Sequence, residues 1–290
     1  MNCQHQLVQL LLRAWPFPRG CGRIIDRYFS NLSFDDEISA VETTDGFKMS
    51  VPPNDGVGRH IYLTGEFDRS IVEVLLAFCE PGDVLLDIGA NLGYVSACFL
   101  NKCPNSSVIA IEPQPFIVNL LQQNLQQFHD RQRVFPIALS DQDGDAWFYV
   151  DPNNKGKSRL VSPAFEGAQR IPARSTESFL KELNPKKIDL LKIDVEGHEE
   201  TILRSAKDQL SVLQPKIILF EGNQGPALPA GGPIGSLLND IGYSVYGLKK
   251  RLRTLALELP SQSNRSSYND YVAVSRSKRI PSAAMRAFGL

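Results

Sequence analysis

The stretch Gly82-Asp83-Val84-Leu85-Leu86-Asp87-Ile88-Gly89-Ala90-Asn91-Leu92-Gly93-Tyr94 predicts the fold of this chain and the position of its ligand. Its apolar run Asp83–Ile88 indicates a buried strand, and Tyr94–Leu100 indicates a helix. Gly89 permits a tight turn between them that a Cβ would obstruct. Gly93 lets a polar ligand approach the unpaired N–H groups at the start of the helix. We therefore expect a ligand at the carboxyl end of this strand.

Strand-like and helix-like segments alternate along the rest of the chain. We predict further strands at Val108–Ile111, Val134–Leu139, Ile188–Ile193, Lys216–Phe220, Tyr243–Tyr246 and Tyr271–Ser275. We predict helices at Ile71–Cys79, Phe116–Phe128, Glu199–Leu210 and Pro233–Gly242. Continuous apolar runs are typical of strands buried on both faces, and their alternation with helices implies parallel pairing. The predicted fold class is α/β, with helices on both faces of a mostly parallel sheet.

The N-terminal part departs from this alternation. Residues 5–14 predict a short amphipathic helix, since Leu7, Leu10, Leu11 and Ala14 follow helical spacing. We expect this helix to dock on its own domain, and contact with a membrane surface or a partner is the alternative. The Asp-Gly pair in Thr44-Asp45-Gly46-Phe47 predicts a β-hairpin.

The chain has no clear linker, so we predict one compact domain with additions. The expected division is an N-terminal elaboration over residues 1–62, a main α/β domain over residues 63–276 and a basic C-terminal tail over residues 277–290. Two insertions interrupt the main domain. Residues 141–175 contain a β-like run followed by a polar stretch, and residues 248–270 are basic and then rich in Ser and Asn.

Composition limits the class of protein. Among 290 residues, 31 Lys and Arg balance 32 Asp and Glu, which does not favour a general nucleic-acid binder. Apolar residues make up 42% of the chain, yet no stretch reaches the roughly 18 apolar residues of a membrane span. The five cysteines include no Cys-x-x-Cys pair, and we interpret Cys79 and Cys98 as small apolar residues. We therefore expect a protein of the reducing cytoplasm.

The glycine loop itself indicates the class of ligand. It lacks the Gly-Lys-Ser/Thr ending of a phosphate-binding P-loop, and position 91 is Asn where a dinucleotide fingerprint has Gly. Asp87 adds a carboxylate, which would repel a pyrophosphate. A ligand that carries an ammonium and a sulfonium would tolerate that charge. We therefore predict that Asp87, Gly89, Asn91 and Gly93 bind S-adenosylmethionine.

Acidic residues also follow the next two predicted strands. Glu112 comes about 20 residues after the glycine turn, where an acid can accept both ribose hydroxyls of a nucleoside. Asp141 follows the third predicted strand, from which it could reach the adenine amino group. Acids at three successive strand ends are more consistent with a nucleoside site than with ordinary surface residues.

These motifs together resemble those of the FkbM family of S-adenosylmethionine-dependent methyltransferases. Besides the glycine loop, the resemblance rests on Ile111-Glu112-Pro113, Ala138-Leu139-Ser140-Asp141, Leu191-Lys192-Ile193-Asp194-Val195-Glu196-Gly197-His198-Glu199, Phe220-Glu221 and Gly65-Glu66. It covers roughly residues 60–225 and the region near Asn269–Val274. It implies a Rossmann-like class I fold with a seven-stranded sheet whose last strand is antiparallel. It also implies methyl transfer to a hydroxyl, often on a sugar or a secondary metabolite.

The carboxyl end of the fourth predicted strand holds the candidate catalytic groups. A hydroxyl acceptor has to lose a proton, which a carboxylate or a neutral His can take. We expect Asp194 to face the donor or the acceptor, Glu196 to bind the acceptor or to be structural, and His198 to be a candidate base. Glu221 could hydrogen-bond an acceptor hydroxyl, and Glu66 could close over the donor. We predict no metal, although these oxygen and nitrogen donors make one the alternative.

The acceptor is the least determined part of this interpretation. We expect a small molecule or a glycan and not a nucleic acid. The basic clusters Lys249-Lys250-Arg251-Leu252-Arg253 and Arg276-Ser277-Lys278-Arg279 are either a solvated face or a means of capturing an anionic acceptor. Two other functions stay open: a non-catalytic module that binds S-adenosylmethionine, and an NAD(P)-dependent reductase, which Asn91 disfavours.

Overall fold

The main sheet of the computed structural model has eight strands in the order β13-β12-β14-β11-β10-β3-β4-β5. The structure describes residues 3–15, 20–29, 32, 34, 37–152, 154–222, 232–260 and 268–290. The strands of this sheet are β3 (Val84–Ile88), β4 (Ser107–Ile111), β5 (Gln132–Phe135), β10 (Leu190–Ile193), β11 (Ile217–Glu221), β12 (Tyr243–Lys250), β13 (Leu255–Glu258) and β14 (Asp270–Ser275).

Two smaller sheets and the helices surround the main sheet. The hairpin of β1 (Ser39–Glu42) and β2 (Lys48–Val51) forms one sheet, and the other contains β6 (Ala138–Ser140), β7 (Gly144–Tyr149), β8 (Arg159–Leu160) and β9 (Ala168–Ser175). The helices are α1 (Cys3–Arg13), α2 (Cys21–Ile24), α3 (Gly56–Thr64), α4 (Arg69–Phe78), α5 (Tyr94–Lys102), α6 (Pro115–Leu125), α7 (Thr176–Leu183), α8 (Glu199–Ser205), α9 (Lys207–Leu213), α10 (Pro233–Asp240) and α11 (Ser282–Phe288).

The apolar strands form the sheet because both of its faces are covered. Alternate residues of β3 belong to two different cores: Leu85 packs in one apolar cluster, and Leu86 and Ile88 pack in the other. Burying both faces removes nearly all side chains of the central strands from water, which explains their continuous apolar sequence. The fold is therefore α/β and Rossmann-like, as expected.

The pairing of the strands brings three loops to one edge of the sheet. Strand β3 pairs in parallel with β4 on one side and with β10 on the other. Their carboxyl ends meet at this edge. Successive strands lie on one side of β3 up to β5 and on its other side from β10 onward, and open α/β sheets bind ligands at such a point of reversal. Strand β14 is antiparallel to both β11 and β12, so the expectation of an antiparallel last strand is confirmed. The insertion at residues 248–270 adds β13 as an eighth strand, whereas we expected seven.

The prediction of one strand over Val134–Leu139 is wrong. Strand β5 ends at Phe135 in the main sheet, and β6 begins at Ala138 and pairs with β9 in the four-stranded sheet. Pro136 lies between them. Because proline has no backbone N–H to donate to a ladder, it is a natural point for a strand to end.

The N-terminal elements pack against the main domain. The predicted hairpin is confirmed, with Ser39 opposite Val51 and Glu42 opposite Lys48. Helix α1 buries Val8 and Leu12 in the same apolar cluster as the glycine-loop helix, so it docks on its own domain, while Leu7, Leu10 and Leu11 stay exposed. The predicted domain boundary at residue 62 lies inside α3, and the division into domains stays a prediction.

The C-terminal segment and the cysteines differ from our expectations. The segment that we predicted to be a basic tail contains α11, whose Phe288 stacks on Phe78 of α4 with ring centroids 6.1 Å apart. Cys79, which we interpreted as a small apolar residue, is paired with Cys103 in a disulfide. The ends of α4 and α5 bring these two cysteines together. Within the described ranges, no helix has the length and apolarity that crossing a membrane requires.

Candidate active site

A cavity of about 320 Å³ lies at the carboxyl ends of β3, β4 and β10, and we call it the first cavity. This volume is at the lower end of the range of about 300–1,000 Å³ that small-molecule sites occupy. The loops after the three strands form its floor and include Gly89, Asn91, Glu112, Gln114, Asp194, Glu196 and His198. Helix α3 and a segment over residues 154–158, which we call the strap, cover it from the other side.

The turn after β3 has to be glycine at position 89. The backbone there has φ +77°, and a Cβ would lie 1.9 Å from the carbonyl oxygen of Asp194. The N–H groups of Gly89 and Ala90 both donate to the carbonyl oxygen of Ile111, at 2.9 and 3.0 Å. This close approach joins the first loop to the ends of both neighbouring strands, and the backbone of the loop forms part of the cavity wall.

The Glu112 carboxylate holds the loop in place from the end of β4. Its Oε2 accepts a hydrogen bond from the N–H of Asn91 at 3.0 Å, and its Oε1 accepts one from the N–H of Gln114 at 3.1 Å. Glu112 is 3% exposed, and burial raises its pKa to about 7 although these hydrogen bonds oppose the shift. The carboxylate lines the first cavity, as the sequence predicted for a group that binds ribose hydroxyls.

Asp87 does not face the first cavity. Its side chain is fully buried, with Oδ1 lying 3.2 Å from the Lys192 ammonium and Oδ2 accepting from the Ser96 hydroxyl at 2.7 Å. Lys192 also donates to the carbonyl oxygen of Gly89 at 3.2 Å, and its pKa is raised because the Asp87 and Asp194 charges outweigh its own burial. The charge of Asp87 is therefore neutralised by Lys192. Asp87 does not attract a cationic ligand directly, which differs from the prediction based on its place beside the glycine loop.

Asp194 begins the loop after β10. Its Oδ2 lies 3.4 Å from the Lys192 ammonium, and the side chain is 40% exposed toward the first cavity. Lys192 thus joins Asp87 inside the sheet to Asp194 on the cavity wall. These distances show that Lys192 is paired with two acids.

The turn that follows Asp194 is fixed by a residue to which we gave no role. Glu199 is buried, and its Oε1 accepts hydrogen bonds from the N–H groups of Val195 and Gly197, each at 3.2 Å. Glu196 has φ +55°, a left-handed conformation that is uncommon for residues other than Gly, Asn and Asp. Burial, followed by the charges of Asp194 and Glu199, raises the pKa of Glu196. The turn therefore places the Glu196 carboxyl group at the cavity wall, and the raised pKa favours its protonated form.

His198 also lines the first cavity. Its Nε2 lies 3.0 Å from the Ser140 hydroxyl at the end of β6. Burial lowers the pKa of His198, although the nearby charge of Asp141 opposes this shift. The lowered pKa favours the neutral imidazole, which is the form that can accept a proton.

Besides Asp87, four predicted residues do not line the first cavity: Gly93, Asp141, Glu221 and Glu66. Gly93 lies at the start of α5 with φ +83°, where a Cβ would be 2.6 Å from the Leu121 side chain. Asp141 is exposed and accepts a hydrogen bond from the Ser140 hydroxyl at 3.1 Å. Glu221 ends β11 opposite Asp270 of β14. Glu66 lines a second cavity of about 390 Å³, which we call the second cavity and which shares His60 with the first. The expectation that Glu66, Asp141 and Glu221 contact the donor or the acceptor stays a prediction.

The strap is fastened by Asp55 and Gln114, which sequence reasoning missed. The buried Asp55 caps α3 by accepting from the N–H groups of Val57 and Gly58, and its other oxygen accepts from the N–H of Lys155 at 2.6 Å. The Gln114 amide donates to the carbonyl oxygen of Lys155 at 3.1 Å. The Asp-Gly pair at 55–56 does resemble a helix cap, but nothing in the sequence relates it to residue 155.

Within the described residues, no group of three or more His, Cys, Asp or Glu side chains is arranged to hold a metal ion. The acids around the first cavity instead contact Lys192, backbone N–H groups and the Gln114 amide.

Comparisons with known proteins agree with the motifs. The family model described as a methyltransferase FkbM domain matches residues 87–245. The chain is 29% identical over 159 residues to the 2-O-methyltransferase NoeI of Sinorhizobium fredii, covering 49% of this chain and 64% of that protein. It is 29% identical over 164 residues to the hexuronic acid methyltransferase AglP of Haloferax volcanii, covering 57% and 66%. It thus spans slightly less than two thirds of either relative.

Among solved structures, the FkbM methyltransferase of Methylobacillus flagellatus is similar at 17% identity with a TM-score of 0.44, over 74% of this chain and 52% of that one. The family match extends from the glycine loop through the Lys-Ile-Asp-Val-Glu-Gly segment to the sixth strand of the main domain and covers more than half of the chain. The chain therefore belongs to the FkbM methyltransferase family.

Proposed function

We propose that this chain is an S-adenosylmethionine-dependent methyltransferase that methylates a hydroxyl group of a sugar, a glycan or a secondary metabolite. The donor binds in the first cavity. Membership of the FkbM family supports methyl transfer. The relatives NoeI, a 2-O-methyltransferase, and AglP, a hexuronic acid methyltransferase, support a saccharide acceptor.

The observation that carries this proposal is the Glu112 carboxylate in the wall of the first cavity, next to the Gly89 turn. A carboxylate at the end of the second strand accepts hydrogen bonds from the 2′- and 3′-hydroxyls of a ribose. The amide oxygen of Gln114 is also buried in the wall and has no hydrogen-bond donor among the described residues. An exocyclic amino group, such as that of adenine, would satisfy it.

The residues of the first cavity have separate tasks in this proposal. The bound sulfonium supplies a methyl group that is already activated for displacement. Glu112 and Gln114 hold the nucleoside, while the backbone of Gly89 and Asn91 lies beside the rest of the donor. Asp194 places negative charge on the wall, which favours a cationic ligand. The strap excludes water from the reacting groups, as a closed methyl-transfer site requires.

Two measurements test the proposal and separate it from the alternatives. Calorimetric titration should show that S-adenosylhomocysteine binds and NADH does not, and the opposite result would favour a reductase. Transfer of labelled methyl from S-adenosylmethionine over a panel of saccharides and hydroxylated metabolites should then identify an acceptor. A chain that binds the donor but methylates nothing in the panel would be a non-catalytic binding module.

A pair of variants tests the position of the reaction. Asp194→Asn should lower turnover, because it removes a cavity-wall charge that Lys192 holds in place. Asp145→Asn is the matched control, since Asp145 is an exposed acid on β7 that pairs with Arg170. Equal turnover in both variants would show that the chemistry does not occur beside Asp194.

A further inference from the structure

The second cavity adjoins the first cavity, in which the donor is proposed to bind. Both cavities are lined by His60 and Phe67, whose rings meet edge to face with their centroids 6.1 Å apart. The second cavity is also lined by Asp68 and Lys250. It is large enough for a monosaccharide, and among the described residues His60 and Phe67 alone line both cavities.

The backbone of Asp68 has an unusual conformation for its position. Asp68 occupies the N-cap of α4 with φ +43° and ψ +46°, so it is left-handed, and its carboxylate makes no capping hydrogen bond. An Asp at an N-cap ordinarily accepts from the N–H groups of the first helical turn. Here the Asp68 Oδ1 instead lies 3.9 Å from the Lys250 ammonium. A non-glycine residue that keeps a strained backbone and forgoes its local hydrogen bond is typical of functional sites.

Charges on three strands of the main sheet surround Asp68. Lys250 of β12 pairs with Asp270 of β14 at 2.7 Å, and Lys192 and Asp194 belong to β10 and its loop. Burial is the main cause that raises the pKa of Asp68. The charges of Asp270 and Asp194 add to this effect, and those of Lys250 and Lys192 oppose it. Asp68 therefore faces the second cavity and also responds to the charge of Asp194 in the wall of the first.

Basic side chains predominate around the second cavity. Arg23, Arg69, Lys250 and Arg251 line it, against the two carboxylates of Glu66 and Asp68. Arg69 is held by Asp45 and Lys250 by Asp270, and the Arg251 guanidinium lies 3.7 Å from the Glu258 carboxylate. Arg23 and Arg251 are both exposed. Positive charge therefore lies at the mouth of the second cavity, and the Asp68 carboxylate lies further inside. This distribution favours a ligand that carries both an anionic group and a hydroxyl.

We propose that the second cavity binds the methyl acceptor as a hydroxylated carboxylic acid of the uronate type, with Arg23 and Arg251 at its carboxylate and Asp68 as the acceptor of its hydroxyl proton. This inference rests on the proposed function. The hydroxyl O–H bond breaks and the proton passes to Asp68, while an oxygen electron pair forms the new bond to the methyl carbon. The carbon–sulfur bond breaks, and its electron pair stays on sulfur, so that the sulfonium becomes a neutral thioether.

The binding part is tested with two probes that differ only at C6, where one carries a carboxylate and the other a hydroxymethyl group. The protein saturated with S-adenosylhomocysteine is titrated with methyl β-D-glucuronide and with methyl β-D-glucoside, and binding is measured by calorimetry or ligand-observed NMR. We expect the glucuronide to bind at least tenfold more tightly. Arg251→Gln should remove most of this preference, and Arg170→Gln, a change at an exposed arginine of β9, should leave it intact. No binding of the glucuronide, or equal binding of both probes, would overturn the inference.

S-adenosylhomocysteine is titrated separately into every variant. A protein that binds it but does not bind the glucuronide would refute the acceptor site and leave the proposed function standing. A protein that does not bind it would refute the proposed function itself.

The proton-transfer part is tested with Asp68→Asn and Asp68→Gly. Asn and Gly both tolerate the left-handed backbone, so neither variant should lose its fold. Loss of a proton acceptor lowers kcat by about 10²–10⁴-fold with little change in glucuronide affinity. The wild-type rate should fall at acidic pH as Asp68 takes up a proton, and the residual rate of the Asn variant should lack this dependence. Wild-type protein that binds but does not methylate the glucuronide, or a variant with an unchanged rate, would refute the role of Asp68.

Discussion

Replacing Glu112 by Gln should uncouple donor binding from pH. In the folded protein the pKa of Glu112 is raised to about 7 because the carboxyl is buried. Ribose hydroxyls donate to the ionised form, so binding should favour the carboxylate. Donor affinity should therefore be low at acidic pH, increase as the pH rises through about 7 and level off above it. If the carboxyl stays ionised in the complex throughout, affinity rises about 25-fold between pH 5.5 and 7.5.

The Gln variant should show a flat pH profile and weaker binding at pH 8. A hydrogen bond to a charged group contributes about 1–1.5 kcal/mol more than one to a neutral group. Two ribose hydroxyls then correspond to a loss of about 2–3 kcal/mol, or about 30- to 150-fold in affinity. Gln keeps one acceptor oxygen for the N–H of Asn91, so the loop itself should hold its conformation.

The assay is calorimetric titration with S-adenosylhomocysteine in two buffers of different ionisation enthalpy. The wild type should release close to one proton on binding near pH 6, and the Gln variant should release none. Thermal unfolding gives an independent check. A carboxyl whose pKa is raised on folding keeps its proton where the unfolded chain has lost it, so wild-type stability should fall by about 3 kcal/mol as the pH rises from about 4.5 to 7. Equal pH profiles of donor affinity in the two proteins would refute the proposed contact between Glu112 and the ribose.

The remaining predictions concern the framework of the site. Gly89→Ala should prevent folding or lower the free energy of unfolding by more than about 3 kcal/mol, because its Cβ would meet a backbone oxygen. The control Gly82→Ala places its Cβ in open space and should cost only about 1–2 kcal/mol of backbone strain. Equal losses of stability in urea unfolding would contradict this reasoning. Lys192→Met should cost about 3–5 kcal/mol because it leaves Asp87 buried and unpaired, and adding Asp87→Asn should recover part of the loss. Asp55→Ala should cost about 1–2 kcal/mol and speed proteolytic cleavage within residues 154–158, and unchanged cleavage would show that the strap is held by other contacts.

Much of the fold follows from local sequence. The alternation of apolar runs and helical patterns predicts β3, β4, β10, β11, β12 and β14 within a few residues, and the Asp-Gly pair predicts the hairpin of β1 and β2. The glycine loop and the acid after β4 predict the floor of the first cavity. These features depend on backbone sterics and on the burial of neighbouring residues, which a few consecutive positions determine.

Contacts between distant residues set the electrostatics of the site, and only the tertiary structure reveals them. Asp87 is adjacent to the glycine loop in sequence, yet its charge is cancelled by Lys192, which is more than 100 residues away and lies beside it because β3 and β10 pair in parallel. Asp68 belongs to none of the sequence motifs, and it becomes a candidate proton acceptor because β10, β12 and β14 place their charges around it. The sequence by itself determined where the ligand-binding loops are. The register of the sheet decides which of their acids face the cavities and which are buried against a lysine, because electrostatic interactions act through space and not along the chain.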